Sequence, residues 1–115
     1  MEVGKASNLR YEEVTLDLTK NEQKSSQILA INPKGSVPFI VFNKEVLTES
    51  GAILRFVAQV IESLRKYYPE DPLFRHKIDA ALDYCGNTLR PYINKTLQIC
   101  FKALNTKGRL ESFEK

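Results

Sequence analysis

Asn32–Pro33–Lys34–Gly35–Ser36–Val37–Pro38–Phe39–Ile40–Val41–Phe42 decides how the rest of the chain is read. Two prolines and a glycine in its first seven residues exclude a helix and force a tight, extended connection. The continuous apolar run Phe39–Phe42 then reads as a strand buried on both faces. Asn43–Lys44 is a turn, and Glu45–Val46–Leu47 is the returning strand of a hairpin. Thr48, Glu49 and Ser50 open a helix whose apolar positions Ile53, Leu54, Val57, Val60, Ile61 and Leu64 form one face.

N-terminal to this stretch, Thr19–Asn32 is polar until Ile28, Leu29 and Ile31, the pattern of a short, loosely specified helix. Tyr11–Leu18 alternates Val14, Leu16 and Leu18 against Glu13, Thr15 and Asp17, which predicts a strand with one buried side. Met1–Arg10 has Val3, Ala6 and Leu9 at helical spacing and reads as the last turn or two of a helix. C-terminal to the hairpin and its helix, Lys66–Asp71 is a linker, with Pro72 as the first helical residue after Asp71. A long helical pattern follows through Ile78, Leu82, Cys85 and Leu89. Pro91 should kink or break it before Ile93, Leu97, Cys100 and Leu104 resume the stripe. The tail 105–115 is polar and expected to fray.

The chain has 115 residues, 43% hydrophobic and 27% charged, which excludes the disordered class and fits a small globular protein. Its net charge of +3 is spread along the chain, with no basic face of the kind a nucleic-acid binder concentrates. No stretch approaches the ~20 apolar residues of a membrane span. Cys85 and Cys100 would lie about 22 Å apart on one helix, too far to bridge. They read as buried core or interface thiols in a reducing, cytoplasmic setting. The single histidine, His76, reads as an exposed helical residue.

Function is concentrated between Asn32 and Ile53. A cis Val37–Pro38 bond would turn the Val37 backbone N–H and C=O outward, free to pair with an extended peptide as an added strand would. The helix opening at Thr48–Glu49–Ser50 offers unpaired N–H groups for a carboxylate, a hydroxyl from Ser50, and a carboxylate from Glu49 for an ammonium group. Together these describe a site for a small zwitterionic peptide. The plainer readings are a proline that ends a loop and an ordinary helix cap.

The segment Asn32–Pro38 followed by Leu47–Thr48–Glu49–Ser50–Gly51–Ala52–Ile53 resembles the paired signature of cytosolic glutathione S-transferases. The flavour is similar to the theta-like class, including Tyr68–Pro69–Glu70–Asp71–Pro72 and Thr88–Leu89–Arg90–Pro91. The resemblance covers the chain to about Leu104. It implies an α/β plus all-α fold class: a partial thioredoxin-like domain over residues 1–65, the start of the family's helical domain over 72–104, and the tail. It also implies that glutathione is the co-substrate, with no metal and no other cofactor. Val37 pairs with the cysteinyl part, Pro38 is the cis-proline, and Glu49 with Ser50 grips the γ-glutamyl end. Lys24 meets the glycyl carboxylate, the plainer alternative being a solvated surface lysine. The family's first strand and thiolate-stabilising hydroxyl have no counterpart in the resemblance, so the chain is expected to hold the binding half of the apparatus and to be catalytically poor. An apolar electrophile and a second copy of the chain are the further partners implied. The rival reading is a non-catalytic, transferase-like protein-interaction module.

Overall fold

A two-residue turn builds one of the two hairpins seen in a computed structural model that describes the backbone of residues 2–6 and 9–113 and the side chains of 10–103. The chain divides into two compact units, Met1–Arg75 and His76–Lys115.

In the first unit, strand β1 (Glu2–Ala6) pairs antiparallel with β2 (Leu9–Glu13), from Glu2 opposite Glu13 to Ala6 opposite Leu9. The helical reading of Met1–Arg10 is therefore wrong. Gly4 is a poor helix interior residue, and β2 offers β1 backbone hydrogen-bonding partners along five positions. The strand reading of Tyr11–Leu18 is displaced as well, since β2 ends at Glu13. Val14 is 58% exposed and Leu18 is exposed, so the alternation does not mark a buried face. Val3, Ala6 and Leu9 lie outside the described side chains.

Asp17 then starts a 3₁₀ turn over Leu18–Lys20. Its carboxylate accepts from the Thr19 N–H at 2.9 Å and from the Thr19 hydroxyl, and the hydroxyl bond leads the contacts that hold its pKa below the ordinary carboxylate value. Asn21, at φ 59°, turns the chain into a second 3₁₀ turn, Glu22–Lys24. Helix α1 (Ser26–Ile31) follows, with the Ser25 hydroxyl accepting from the Ile28 N–H.

Strands β3 (Ile40–Phe42) and β4 (Glu45–Leu47) form the expected hairpin, with Ile40 opposite Leu47 and Phe42 opposite Glu45. Asn43 and Lys44 both have positive φ, 49° and 70°, the combination that lets a two-residue turn match strand twist. The two ribbons are separate sheets among the described residues. Phe39–Phe42 is accordingly not buried on both faces: Val41 is 55% exposed, so no layer of the described residues covers its side of β3.

Helix α2 (Ser50–Val60) packs on the hairpin, with the Phe42 and Phe56 rings meeting edge to face at 5.1 Å. It stops at Ile61 rather than continuing to Leu64, and a 3₁₀ stretch, Glu62–Tyr67, follows. Among the described residues, Ile53, Ile61 and Tyr68 are the buried apolar ones. The Arg75 guanidinium stacks 4.2 Å from the Tyr68 ring centroid and donates to the carbonyls of Pro69 (2.8 Å) and Tyr68 (3.1 Å). This holds the linker against the start of helix α3 (Pro72–Tyr84), which Asp71 caps by accepting from the Phe74 N–H at 2.8 Å.

Beyond α3 the chain does not break at Pro91. A π-helical turn, Cys85–Leu89, leads into α4 (Arg90–Phe113). A proline at 91 lacks an N–H and crowds the carbonyl four residues back, at Asn87, and the wider turn lies at that position. Cys85 and Cys100 are free and exposed, which corrects their reading as core thiols. On the expected stripe, Ile78 and Leu82 are half-buried while Leu89 is exposed, and His76 is exposed as expected. The tail is helical to Phe113 rather than frayed, whereas the side chains of Leu104 and Phe113 lie outside those described. No helix among the described residues is long and apolar enough to cross a membrane.

Candidate functional site

A single buried side chain organises the loop between α1 and β3. Asn32 is 1% exposed. Its amide nitrogen donates to the Ser36 carbonyl at 2.9 Å, and its amide oxygen accepts from the Lys34 N–H at 3.3 Å. Its backbone carbonyl accepts from the Gly35 N–H at 2.9 Å. An asparagine before a proline mimics a backbone turn with its own side chain, which is why this residue type suits the position.

Gly35 is buried at φ 56°, a conformation that favours glycine. A Cβ there would sit 2.7 Å from Lys24 Cδ and 2.9 Å from the Gln23 carbonyl oxygen. The Lys24 stem lies across this glycine, and its ammonium donates to the Lys34 carbonyl at 2.8 Å. Lys24 therefore ties the 3₁₀ turn before α1 to the loop, a role that its expected contact with a ligand carboxylate did not include. Gly35→Ala is expected to destabilise the first unit by about 1–3 kcal/mol, since strain at positive φ adds to a backbone clash. Urea unfolding followed by circular dichroism measures it. A loss no larger in Gly35→Ala than at an exposed control site would show that the loop simply shifts.

The loop delivers a cis Val37–Pro38 bond, as expected, with both residues exposed. Among the described residues, no hydrogen bond within the chain engages the Val37 N–H or carbonyl. The β3–β4 hairpin then returns the chain to Glu49, which caps α2 at φ 69° and ψ 107°. Its carbonyl accepts the first helical bond, from the Ile53 N–H at 2.9 Å, while its side chain makes no capping bond. Ser50 is thus the first helical residue and not the cap. A non-glycine residue held in this region costs about 1–3 kcal/mol, and such strain clusters at functional sites. Glu49 also joins the two segments, because its carboxylate lies 4.0 Å from the Lys34 ammonium.

Sequence reasoning overlooked Asn32, Lys34 and Gln23. The Gln23 side-chain oxygen is buried without a hydrogen-bond partner among the described residues, while its backbone carbonyl lies against Gly35. The only sequence signal for Asn32 was its place before Pro33; Lys34 and Gln23 carried none. Among the described residues no cluster of His, Cys, Asp or Glu is arranged to hold a metal ion.

Residues 3–59 match the family described as the glutathione S-transferase N-terminal domain. Glutathione S-transferase T1 of Arabidopsis thaliana is 37% identical over 87 residues, which is 75% of this chain and 36% of the relative. Glutathione S-transferase T2 of the same plant is 36% identical over 88 residues, 76% of this chain and 15% of the relative. Glutathione S-transferase theta-2 of Homo sapiens is 30% identical over 87 residues, again 76% of this chain and 36% of the relative. The chain thus spans well under half the length of these relatives. No solved structure matches. With the cis-proline loop and the Glu49-capped helix lying inside the matched region, and with an α/β unit of thioredoxin-like class preceding helices, the chain belongs to the glutathione S-transferase family and is theta-like within it.

Proposed function

We propose that this chain binds glutathione and serves a glutathione transferase, in which the thiolate of the bound peptide attacks an electrophilic carbon. The observation that carries the reading is Glu49, held in a left-handed conformation at the head of α2 and linked through Lys34 to the loop bearing cis Val37–Pro38. In this reading the outward Val37 N–H and carbonyl pair with the cysteinyl residue of an extended peptide, as an added strand would. Pro38 shapes that edge. The Glu49 carboxylate receives the γ-glutamyl ammonium, and the Ser50 end of α2 receives its carboxylate. Lys24 uses one ammonium N–H on the Lys34 carbonyl, and its remaining N–H groups are donors for the glycyl carboxylate.

The chemistry follows from placing a thiol beside an apolar electrophile. A positive dipole end or hydroxyl near the sulfur stabilises the thiolate, and holding both reactants together removes much of the entropic barrier. The family resemblance also points to assembly with a second copy in the cytoplasm. Calorimetric titration with glutathione tests the proposal. The expected result is saturable binding that a peptide lacking the γ-glutamyl residue does not reproduce. No binding, or equal binding of both peptides, would overturn it in favour of the protein-interaction reading.

A further inference from the structure

Lys34 links Glu49 to the loop but has been given no contact with the ligand, and both polar groups of its backbone are held in place. Its N–H donates to the Asn32 side chain at 3.3 Å and its carbonyl accepts from Lys24 at 2.8 Å. From this fixed point its side chain reaches Glu49, with Nζ 4.0 Å from Oε1. The two side chains are 64% and 78% exposed, so the pair contributes little to folding. What it does create is a cation and an anion side by side at the N-terminus of α2.

We propose that Lys34 is a specificity-determining residue that reads the α-carboxylate of the ligand's γ-glutamyl end, while Glu49 reads the neighbouring ammonium. The inference rests on the glutathione-binding reading and deepens it. A γ-glutamyl group carries ammonium and carboxylate on one carbon, the charge pattern opposite to the Glu49–Lys34 pair. A peptide in ordinary α-linkage places no free carboxylate beside its terminal ammonium. Lys34 and Glu49 together therefore discriminate γ-linked from α-linked peptides. In the free protein the two residues neutralise each other, and the bound zwitterion satisfies both charges at once. The long 4.0 Å separation leaves the two ions without a tight mutual bond to be broken first.

The test uses the whole chain, Lys34→Met, and calorimetry with three peptides. These are glutathione, 4-aminobutanoyl-cysteinylglycine, which lacks the α-carboxylate, and glutaryl-cysteinylglycine, which lacks the ammonium. Lys34→Met is expected to weaken glutathione and the glutaryl peptide by about five- to tenfold, a charge-assisted contact discounted for exposure. It is expected to leave the 4-aminobutanoyl peptide unchanged, and Lys34→Arg is expected to recover part of the loss. If Lys34 only props Glu49, the loss follows the ammonium instead and the glutaryl peptide is the unaffected one. That outcome, or an equal effect on all three, overturns the inference while glutathione binding stands. Failure of the unaltered chain to bind glutathione overturns the underlying reading as well.

Discussion

Replacing Asn32 by alanine is expected to lower the stability of the first unit by about 2–4 kcal/mol and to abolish measurable glutathione binding. The stability loss has two sources. The Ser36 carbonyl and the Lys34 N–H, both bonded to this buried side chain, lose their partner in a part-buried site. Removing a side chain that is 1% exposed also leaves a void that the two-proline loop is poorly able to fill by collapse. The binding loss follows because the same two bonds hold the residues on either side of Gly35 and so set where Val37 is presented. Asn32→Asp separates the effects. It keeps the shape and the acceptor for Lys34, but sets a carboxylate oxygen against the Ser36 carbonyl, so it should destabilise without opening a void. Thermal unfolding of both variants measures the first effect and calorimetry the second. An Asn32→Ala chain that unfolds within 0.5 kcal/mol of the original, a margin typical of ordinary surface changes, would mean that the loop is held by its prolines alone.

Why the two halves of the site differed in legibility is visible in these residues. Pro33, Gly35, Pro38 and the hairpin turn act through backbone geometry, which residue type alone restricts, so the loop and the β3–β4 hairpin were readable in advance. Asx-type and Lys-to-carbonyl bonds depend instead on which distant backbone group arrives. Lys24 reaches Lys34 across ten positions, and nothing in either residue announces it. Glu49 shows the limit most clearly. Its chemistry as a ligand carboxylate was legible, while its left-handed backbone was not, because glutamate has no preference for that region and is forced there by the passage from β4 into α2. The N-terminal error had a different origin. Apolar spacing over Val3, Ala6 and Leu9 suits a helix, but a strand edge at β2 supplied hydrogen-bonding partners that a periodicity argument does not see.

Glu49→Ala combined with Ser50→Ala is expected to weaken glutathione binding about a hundredfold while leaving the helical signal of the chain nearly intact. Each residue faces a charged group of the ligand's γ-glutamyl end in the proposed site, and a charge-assisted bond contributes roughly 1.5–3 kcal/mol before exposure reduces it. The cost to folding is small. Glu49 makes no side-chain cap bond and its ion pair with Lys34 is exposed, while losing the Ser50 hydroxyl at the head of the helix should cost no more than about 1 kcal/mol. A sharper variant exploits the backbone. Glu49→Gly removes the same carboxylate but relieves the strain at φ 69°, and glycine is accepted at helix N-caps. It should therefore raise stability by about 1 kcal/mol while binding glutathione more weakly, two changes of opposite sign from one substitution. Loss of affinity through general unfolding predicts the same sign for both, so the pair of measurements distinguishes a ligand-facing Glu49 from a merely structural one. Unchanged affinity in Glu49→Gly would take the γ-glutamyl end away from this helix.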